Sequence, residues 1–234
     1  MIVNDRITDY IHSLESSQGS LLDSIEQEAL RDRVPIIRRE TAALLRTLVA
    51  ALRPSRILEI GTAVGYSSLL MCRVMPEDCR ITTIEKYEKR IPEALEHFEK
   101  AGEEGRITLL AGDADDLLAG LKGQIFDLVF MDAAKGQYLH WLPMILELMP
   151  DGGVLISDNV LQEGDIVESR FAVERRNRTI HSRMRRYLYE RKHRKGLETA
   201  SIPIGDGVAV STKYTERVEC GRQNCRYRLE AWTC

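Results

Sequence analysis

Two apolar runs of this sequence each stop at oxygen-bearing side chains. The run FDLVFM (126–131) ends at Asp132, with a lone lysine, Lys135, three residues later, and GVLIS (153–157) ends at Asp158 and Asn159. Two carboxylates and an amide oxygen are hard ligands of the kind that Mg²⁺ and similar cations select, and they leave positions open for water and substrate. Read singly, Asp132 is a strand cap and Asp158 with Asn159 a turn. Taken together, they indicate a divalent-cation site beside an amine.

The strands that would carry these residues belong to a regular alternation of apolar runs and helical segments. The runs are too continuously apolar for a half-exposed antiparallel sheet, so they predict a parallel sheet that is covered on both faces. Two later runs, SIPI (201–204) and VAVST (208–212), are joined by GDG and predict a terminal antiparallel hairpin. The five central runs are RILEI (56–60), RITTI (80–84), RITLL (106–110), 126–131 and 153–157, and the helix candidates between them are 66–75, 88–101, 114–121 and 137–148.

The size and composition of the chain fit one domain. It has 234 residues, of which 44% are hydrophobic, enough for a sizeable core. Residues 5–52 show helical patterns only, and the third of these carries apolar residues at Ala43, Leu44 and Leu48 before Pro54 stops it. We therefore expect a single domain over 1–213 that includes N-terminal helices at 1–52. Residues 214–234 are expected to form a weakly structured extension.

Several classes of protein are disfavoured by the sequence. No run of about 18 apolar residues could span a bilayer, and the N-terminal residues lack the basic-then-apolar order of a signal peptide, so a cytoplasmic location without membrane contact is expected. Five cysteines are present, and reduced thiols are the default in that compartment. Cys220 and Cys225 could form half of a zinc site, but no second pair of ligands accompanies them.

Three successive strand ends carry residues that suit a nucleoside ligand. The stretch LEIGTAVGYSSLL (58–70) places Gly61 and Gly65 at a strand-helix turn, where glycines let the backbone approach a ligand. The second strand ends at Glu85, an acid that can accept hydrogen bonds from ribose hydroxyls, and the third ends at GDA (112–114), which can read an adenine edge. The GxxxG spacing favours a ligand smaller than a dinucleotide. Each signal alone is also ordinary turn or cap chemistry, but their agreement favours a ligand site.

In this order, LEIGTAVGYS, the acidic second-strand end, GDA, MDAAKGQY and SDNVL resemble the class I S-adenosylmethionine-dependent methyltransferases. Within that class they are similar to the cation-dependent O-methyltransferases, which include catechol and caffeoyl-CoA O-methyltransferases. The resemblance covers about residues 30–213. The predicted fold is therefore α/β: a Rossmann-like, seven-stranded, mostly parallel sheet with helices on both faces, a C-terminal antiparallel hairpin and N-terminal helices.

The resemblance implies a role for each matching position. Mg²⁺ or a similar divalent cation would be held by Asp132, Asp158 and Asn159. The expected contacts with S-adenosylmethionine are Glu59, Gly61 and Gly65 at the methionine pocket, Ser67 at the carboxylate, Glu85 at the ribose, Asp113 and Ala114 at the adenine, Ile37 closing over the cofactor, and Asp132 near its amino group.

The expected chemistry gives Lys135 and Asp132 catalytic roles. A sulfonium methyl is transferred by in-line displacement, and an acceptor oxygen attacks far better as an anion than as a hydroxyl. A metal ion lowers the pKa of the acceptor hydroxyl, and a nearby lysine can take the proton if burial and the cation depress its own pKa. Such a metal favours acceptors with two adjacent oxygens. Catechols meet this requirement, and so does 5-hydroxyuridine, whose 5-hydroxyl adjoins the O4 carbonyl.

Positive charge is concentrated in one late segment, which follows the second acidic strand end. Between Arg170 and Lys195 there are eleven Lys or Arg and two Glu, a local charge of +9, which leaves −12 elsewhere because the whole chain carries −3. We predict a charged helical stretch over 163–195 that packs through Ile180, Met184 and Leu188. Arginines such as Arg178, Arg185 and Arg186 are expected to point outward. A basic helix is often only a solvated face, but a polyanion would also suit it.

The same segment narrows the resemblance to the bacterial tRNA 5-hydroxyuridine methyltransferases, which make 5-methoxyuridine at the wobble position. VPII, MDAAKGQY, SDNVL, the NRTI-type basic helix and PIGDGVAVS are all similar to theirs. The likeness implies a tRNA anticodon loop as partner and, in related enzymes, a homodimer formed by the N-terminal helices. Exposed loop bases can be read individually, and Tyr187 and Tyr189 could stack on them. The expected phosphate contacts are Arg178, Arg183, Arg185 and Arg186.

Two other functions remain open at this point. A methyltransferase for small catechol or caffeoyl-type substrates would use the same machinery, with an efficiency insensitive to salt. A non-catalytic RNA-binding protein could keep the fold, although the intact set of Asp132, Lys135, Asp158 and Asn159 argues against it.

Overall fold

The fold is built on one seven-stranded sheet with the order β3-β2-β1-β4-β5-β7-β6. A computed structural model of the protein describes residues 3–215. Strands β1 to β5 pair in parallel, and β7 pairs antiparallel with both β5 and β6. The order reverses between β1 and β4, so the loops after these two strands open a crevice at the carboxyl edge of the sheet. The predicted α/β fold, with its mostly parallel sheet and C-terminal hairpin, is confirmed.

The elements follow one another along the chain as the apolar pattern predicts, and most boundaries fall within three residues of the expected ones. The strands are β1 (Arg56–Ile60), β2 (Arg80–Glu85), β3 (Ile107–Ala111), β4 (Leu128–Met131), β5 (Val154–Ser157), β6 (Leu197–Ile202) and β7 (Val208–Lys213). The helices are α1 (Asp5–Ser13), α2 (Ser20–Arg31), α3 (Arg39–Leu52), α4 (Tyr66–Cys72), α5 (Ile91–Ala101), α6 (Ala114–Gly120), α7 (Tyr138–Glu147) and α8 (Arg178–His193).

Each face of the sheet has its own apolar core. In β1, Ile57 packs with helices α2 to α5 on one face, and Leu58 packs with α6, α7 and α8 on the other. The same alternation in β4 sends Leu128 and Phe130 to the first core and Val129 and Met131 to the second. Strands buried on both faces explain why these runs are apolar at every position.

The expected helix over 163–195 is wrong in its first half. Gln162–Val167 forms a short 3-10 turn with Glu163 and Gly164 at positive φ, and the regular helix α8 begins only at Arg178. Gly164, at φ +101°, has a backbone conformation that a continuous α-helix does not contain. The long charged stretch is therefore a loop followed by a helix.

Two further expectations need correction. Strand β6 covers Leu197–Ile202 rather than 201–204, because Leu197 and Thr199 turn inward while polar residues alternate outward, and Pro203 lies beyond the strand. The packed face of α3 is centred on Ala42, Leu45 and Val49, so the expected stripe was displaced by about one residue.

No helix in residues 3–215 is long and apolar enough to cross a membrane. Most of the extension predicted at 214–234 lies outside the described residues, as do Cys220, Cys225 and Cys234. Cys72 and Cys79 are buried free thiols.

Candidate active site

A cavity of about 590 Å³ lies at the carboxyl edge of the sheet, where the strand order reverses. It joins the glycine turn after β1 to the acidic ends of β4 and β5, so both sets of predicted residues face one space. The predicted site residues that line it are Ile37, Gly61, Ser67, Glu85, Asp113, Ala114, Asp132, Lys135, Asp158 and Asn159.

The two glycines of the first turn meet different neighbours. Gly61 has φ +103°, and a Cβ atom there would lie 2.0 Å from the backbone oxygen of Asp132. Gly61 thus lets the ends of β1 and β4 approach each other and also lines the cavity. Gly65, at φ +82°, is the N-cap of α4, and a Cβ atom there would meet the ring of Phe98 at 2.5 Å. Gly65 is not among the residues that line the cavity.

Glu59 lies behind the cavity wall, not in it. Its carboxylate is completely buried and accepts hydrogen bonds from Ser67 Oγ, Ser68 Oγ and Thr83 Oγ1. Burial raises the pKa of this carboxyl to about 7, against the three hydroxyl donors, which lower it. Because Ser67 lines the cavity and donates to Glu59 at 2.5 Å, any influence of Glu59 on a ligand there passes through Ser67.

Acidic residues at the ends of β2 and β3 are already held by backbone groups. Glu85 accepts from the N–H groups of Ala63 and Tyr87, both at 2.8 Å, which fixes its carboxylate at the cavity wall. Asp113 caps α6 through the N–H of Asp115 and pairs with Lys86 at 3.1 Å. These hydrogen bonds orient both carboxylates and leave further oxygen lone pairs for ligand hydroxyls.

Asp132, Asp158 and Asn159 meet where β4 and β5 end. Asn159 Nδ2 donates to Asp132 Oδ1 at 2.9 Å, and the backbone N–H of Asn159 donates to Asp158 Oδ1 at 2.8 Å. Asn159 has φ +60°, a left-handed conformation that asparagine tolerates better than most residues. This conformation lets the side chain of Asn159 turn back from β5 towards Asp132.

The electrostatics of this set suit a cation. Burial and, to a smaller extent, the charge of Asp132 together raise the pKa of Asp158 to about 7. The pKa of Asp132 is also raised, chiefly by burial, although Lys135 and the hydrogen bond from Asn159 oppose the shift. Two buried carboxylates that repel each other gain from a divalent cation placed between them.

The donor set fits a hard divalent cation with an incomplete protein shell. Within residues 3–215 no cluster of three or more His, Cys, Asp or Glu side chains could hold a metal. A cation at Asp132 and Asp158 would need the amide oxygen of Asn159 as a third protein ligand, and in this structure the amide nitrogen of Asn159 faces Asp132. Two carboxylates and one amide leave several coordination positions for water and substrate, as Mg²⁺ sites commonly do.

Lys135 begins a 3-10 turn, Lys135–Gln137, that leads directly into α7. It lines the cavity with Asp132 and Asp158, and its charge lowers the pKa of both carboxyls. The next residue, Gly136, accepts a hydrogen bond through its carbonyl from Arg183 at 3.1 Å. The amine of Lys135 therefore lies beside Asp132 and Asp158, as the sequence predicts. The hydrogen bond from Arg183 of α8 also holds the 3-10 turn that carries Lys135.

The basic helix α8 is only partly available to a partner. Arg186 is exposed and pairs with Glu190 at 3.4 Å, whereas Arg185 and Arg183 donate to the carbonyls of Glu168 and Gly136. Arg178 is half-buried and donates to the carbonyls of Val173 and Phe171, so the expectation that it points outward is wrong.

The packed face of α8 also differs from the expected one. His181, Met184, Tyr187 and Arg191 are buried, whereas Ile180 and Leu188 are half-buried. Tyr187 is therefore unavailable for stacking on a base. Tyr189 is 64% exposed and stacks on His193 with ring centroids 4.0 Å apart.

Arg191 has a structural role that its position in the basic segment does not suggest. Its guanidinium is completely buried, and all its hydrogen bonds go to uncharged oxygens. These include Ser157 Oγ, Tyr187 Oη and Ser211 Oγ, which join α8 to β5 and β7. One of the eleven positive charges therefore holds the helix to the sheet. The sequence does not predict the burial of Arg191, because its neighbours in the chain are charged residues of types that are usually exposed.

Sequence reasoning also missed several residues of the cavity wall. Arg38 pairs with Asp206 at 2.7 Å and with Glu163 at 3.4 Å, which joins the segment before α3 to the hairpin turn and to the loop after β5. The other missed wall residues include Tyr66, Tyr87, Arg90 and Trp141. The available signal was the aromatic or basic type of Tyr66, Tyr87 and Arg90 at strand-helix turns, whereas Trp141 lies inside α7.

Comparison with known proteins places this geometry in a family. The sequence profile described as O-methyltransferase matches residues 13–214. The chain belongs to the O-methyltransferase family. A tapetum-specific methyltransferase 1 of Arabidopsis thaliana is 31% identical over 175 residues, covering 73% of this chain and 75% of that protein. A caffeoyl-CoA O-methyltransferase of Populus kitakamiensis is 29% identical over 182 residues, covering 71% of this chain and 73% of that protein.

Solved O-methyltransferases share the fold over nearly the whole described chain. An O-methyltransferase from Bacillus cereus, solved in complex with SAH, has a TM-score of 0.78 and 25% sequence identity, and covers 89% of this chain and 97% of its own. The prediction of an O-methyltransferase of the S-adenosylmethionine-dependent class is thus confirmed at the level of the family. The acceptor, the metal and the roles of individual residues stay predictions.

Proposed function

We propose that this O-methyltransferase moves a methyl group from S-adenosylmethionine to a hydroxyl that is held beside a divalent cation. The observation that carries the proposal is the continuity of one cavity from the glycine turn and Glu85 to Asp132, Asp158 and Lys135. A cofactor and an acceptor bound in a common space can meet in line, which is what a displacement at a methyl carbon requires.

The protein residues would position both reactants and move one proton. When bound, S-adenosylmethionine supplies the electrophilic methyl and Mg²⁺ or a similar cation lowers the pKa of the acceptor hydroxyl. Glu85 would accept hydrogen bonds from the ribose hydroxyls, Asp113 and Ala114 would flank the adenine, and Ser67 would lie at the cofactor carboxylate. Lys135 would take the proton from the acceptor hydroxyl at its Nζ. Asp132, Asp158 and Asn159 would hold the cation.

For the acceptor, we propose 5-hydroxyuridine at the wobble position of a tRNA anticodon loop, giving 5-methoxyuridine. The supporting observation is the exposed positive charge next to the cavity. Arg183 on α8 contacts the turn that carries Lys135, so phosphates bound along this face would lie close to the site. The exposed cations of this segment are Arg170, Arg175, Arg176, Arg183, Arg185, Arg186, Lys192, Arg194 and Lys195.

The alternative acceptor is a small catechol or caffeoyl-type molecule. It is favoured by the similarity of the chain to a caffeoyl-CoA O-methyltransferase. It is also favoured because Arg178, Arg183 and Arg185 donate hydrogen bonds to loop carbonyls. These three arginines already have a structural role, so they do not require an RNA partner.

A competition assay separates the two acceptors. The enzyme would be incubated with labelled S-adenosylmethionine and Mg²⁺, and offered a tRNA that carries 5-hydroxyuridine, the same tRNA without the hydroxyl, and a catechol. We expect label in the hydroxylated tRNA only, with an efficiency that falls as salt rises. Incorporation into the catechol alone, unaffected by salt, would establish the alternative.

A single variant separates an enzyme from an RNA-binding protein. Asp132→Ala should abolish methyl transfer while leaving the affinity for the tRNA unchanged, because Asp132 lies in the cavity and not on the basic face. If Asp132→Ala leaves the label incorporated at the wild-type rate, the acidic set does not take part in catalysis.

We further propose that two copies of the chain associate through their N-terminal helices. Helix α1 and its C-cap residue present Ile7, Tyr10 and Leu14 to solvent, each with more than half of its surface exposed. Apolar side chains grouped on one short helix favour a protein partner. Light scattering should give the mass of a dimer for the wild type and of a monomer for Tyr10→Glu/Leu14→Glu. A monomeric wild type would exclude the proposal.

A further inference from the structure

The hydroxyl of Tyr138 lies between the two strand ends that carry the acidic set. Tyr138 is completely buried at the start of α7. Its Oη accepts a hydrogen bond from the backbone N–H of Ala133 at 3.1 Å, and lies 3.2 Å from the carbonyl oxygen of Met131 and 3.3 Å from that of Asp158. One atom therefore contacts the chain on both sides of Asp132 and at Asp158 itself.

These contacts lie just beyond the end of the hydrogen-bonded pairing between β4 and β5. The pairing of β4 with β5 ends at Met131 and Ser157, and one further backbone bond joins the N–H of Asp158 to the carbonyl of Met131 at 3.0 Å. Beyond that point the paired register of β4 and β5 has ended, and Asn159 adopts a left-handed conformation. The phenol is the buried group that bridges the two backbones there within the described residues.

We propose that Tyr138 is a positioning residue that sets the distance between Asp132 and Asp158 and so tunes the affinity of the site for its divalent cation. The inference rests on the proposed function, in which these residues hold the cation. Residues that orient metal ligands without touching the metal commonly change metal affinity 10- to 100-fold when altered. Tyr138 acts through the backbone of its neighbours, so removal of a single oxygen atom tests it.

The neighbouring Tyr187 provides a matched control. It is equally buried, and its ring meets that of Tyr138 edge to face with centroids 5.5 Å apart. Its hydroxyl bonds to Ser157 Oγ at 2.7 Å and to Arg191 at 2.9 Å, and makes no hydrogen bond to the backbone of Asp132, Ala133 or Asp158. Tyr138→Phe and Tyr187→Phe each remove one buried hydroxyl from the same aromatic pair, but only the first removes a bridge between the strand ends.

The experiment measures Mn²⁺ binding directly, by electron paramagnetic resonance, alongside the melting temperature and the affinity for S-adenosylmethionine. We expect the Kd for Mn²⁺ to rise about 10-fold in Tyr138→Phe and to change less than about 2-fold in Tyr187→Phe. Cofactor affinity should be preserved in both variants. Replacement of Tyr138 by 4-aminophenylalanine, which keeps a donor at the same point, should restore most of the lost affinity.

The possible outcomes separate this inference from the proposed function. A wild-type protein that binds no Mn²⁺ would overturn the metal assignment and the inference with it. A wild type that binds Mn²⁺ while Tyr138→Phe binds it equally well would overturn the inference alone. Equal weakening in Tyr187→Phe would also overturn it, because general loosening of the aromatic pair would then explain the effect. Should Tyr138→Phe not fold, 4-fluorophenylalanine at position 138, which fills the space of the hydroxyl but cannot donate a hydrogen bond, takes its place in the same comparison.

Discussion

The carboxyl edge of the sheet and the basic helix beside it use their charged residues in opposite ways. At the sheet edge, eight of the ten polar and glycine positions expected there line one cavity, and only Glu59 and Gly65 do not. The eight are Gly61, Ser67, Glu85, Asp113, Asp132, Lys135, Asp158 and Asn159. Along α8, three of the four arginines expected to contact phosphates donate instead to carbonyls of neighbouring loops, and a fourth cation, Arg191, is completely buried.

The difference follows from how each position is determined. A residue at the end of a parallel strand is placed by the topology of the sheet, which the apolar runs already predict. A residue on a helix is placed by rotation, and an error of one residue changes its direction by about 100°. The comparison therefore predicts that substitutions at the sheet edge affect chemistry or folding strongly, whereas those on the exposed face of α8 change acceptor binding only.

The largest effect is expected from Asp158→Ala. Loss of one carboxylate ligand removes several kcal/mol of stabilisation from the metal-assisted step, so kcat/KM should fall about 10³-fold. Steady-state kinetics at saturating Mg²⁺ would measure the change, with the exposed Asp116→Ala as the control for loss of a carboxylate. An effect below about 10-fold would mean that Asp158 does not hold the cation.

A comparison of Gly61→Ala with Gly102→Ala tests how closely the ends of β1 and β4 approach each other. Both glycines have positive φ, but a Cβ atom at Gly61 would lie 2.0 Å from a backbone oxygen, and one at Gly102 would meet nothing within 4 Å. We expect Gly61→Ala to lower the free energy of unfolding by about 4 kcal/mol and Gly102→Ala by about 1 kcal/mol. Urea denaturation would show both changes, and equal losses would contradict the close approach of β1 and β4.

The buried carboxyl of Glu59 should make stability depend on pH. Its pKa is raised from 4.5 to about 7 in the folded protein, so the folded state binds a proton more tightly than the unfolded chain. The associated stability is present below pH 4.5 and is lost as pH rises towards 7, which amounts to about 3 kcal/mol.

Glu59→Gln removes this titration. The unfolding free energy of the variant should fall less between pH 4.5 and 7 than that of wild type, by about the same 3 kcal/mol. Chemical denaturation at several pH values would measure it, with the exposed Glu88→Gln as control for the loss of one glutamate. Parallel pH profiles of wild type and Glu59→Gln would show that folding does not raise the pKa of Glu59.

The sequence predicts the sheet and the residues at its edge because each signal there is local. Five apolar runs, each followed within two residues by glycine or an acid, are enough to place Asp132 near Asp158. The roles of Glu59 and Gly65 could not be predicted in the same way, since both lie next to residues of the cavity but pack against α4 and Phe98. The sequence pattern alone does not show whether a side chain lines the cavity or packs behind its wall.

The buried faces of α3 and α8 were harder to predict from the sequence than the strands. In α3 and α8 the expected apolar stripe and the buried one are about one residue apart, because Leu44, Leu48, Ile180 and Leu188 are half-buried on the flank. Arg191 lies on the buried face of α8 since Ser157, Ser211 and Tyr187 supply acceptors from distant parts of the chain. A buried cation can be recognised only when those acceptors are known.

The smallest effect, and the one that decides the acceptor, is expected at Arg185 and Arg186. Both are exposed, and the double variant Arg185→Ala/Arg186→Ala removes only one hydrogen bond to the carbonyl of Glu168 and a surface ion pair with Glu190. Folding should therefore change little and cofactor affinity not at all. If tRNA is the acceptor, its KM should rise about 10-fold, and the dependence of binding on salt should weaken by about two phosphate contacts. The double variant Arg31→Ala/Lys122→Ala removes two exposed cations elsewhere and should do neither. Unchanged tRNA kinetics in Arg185→Ala/Arg186→Ala would remove the basic face from substrate binding and favour a small acceptor, because the cavity alone would then account for recognition.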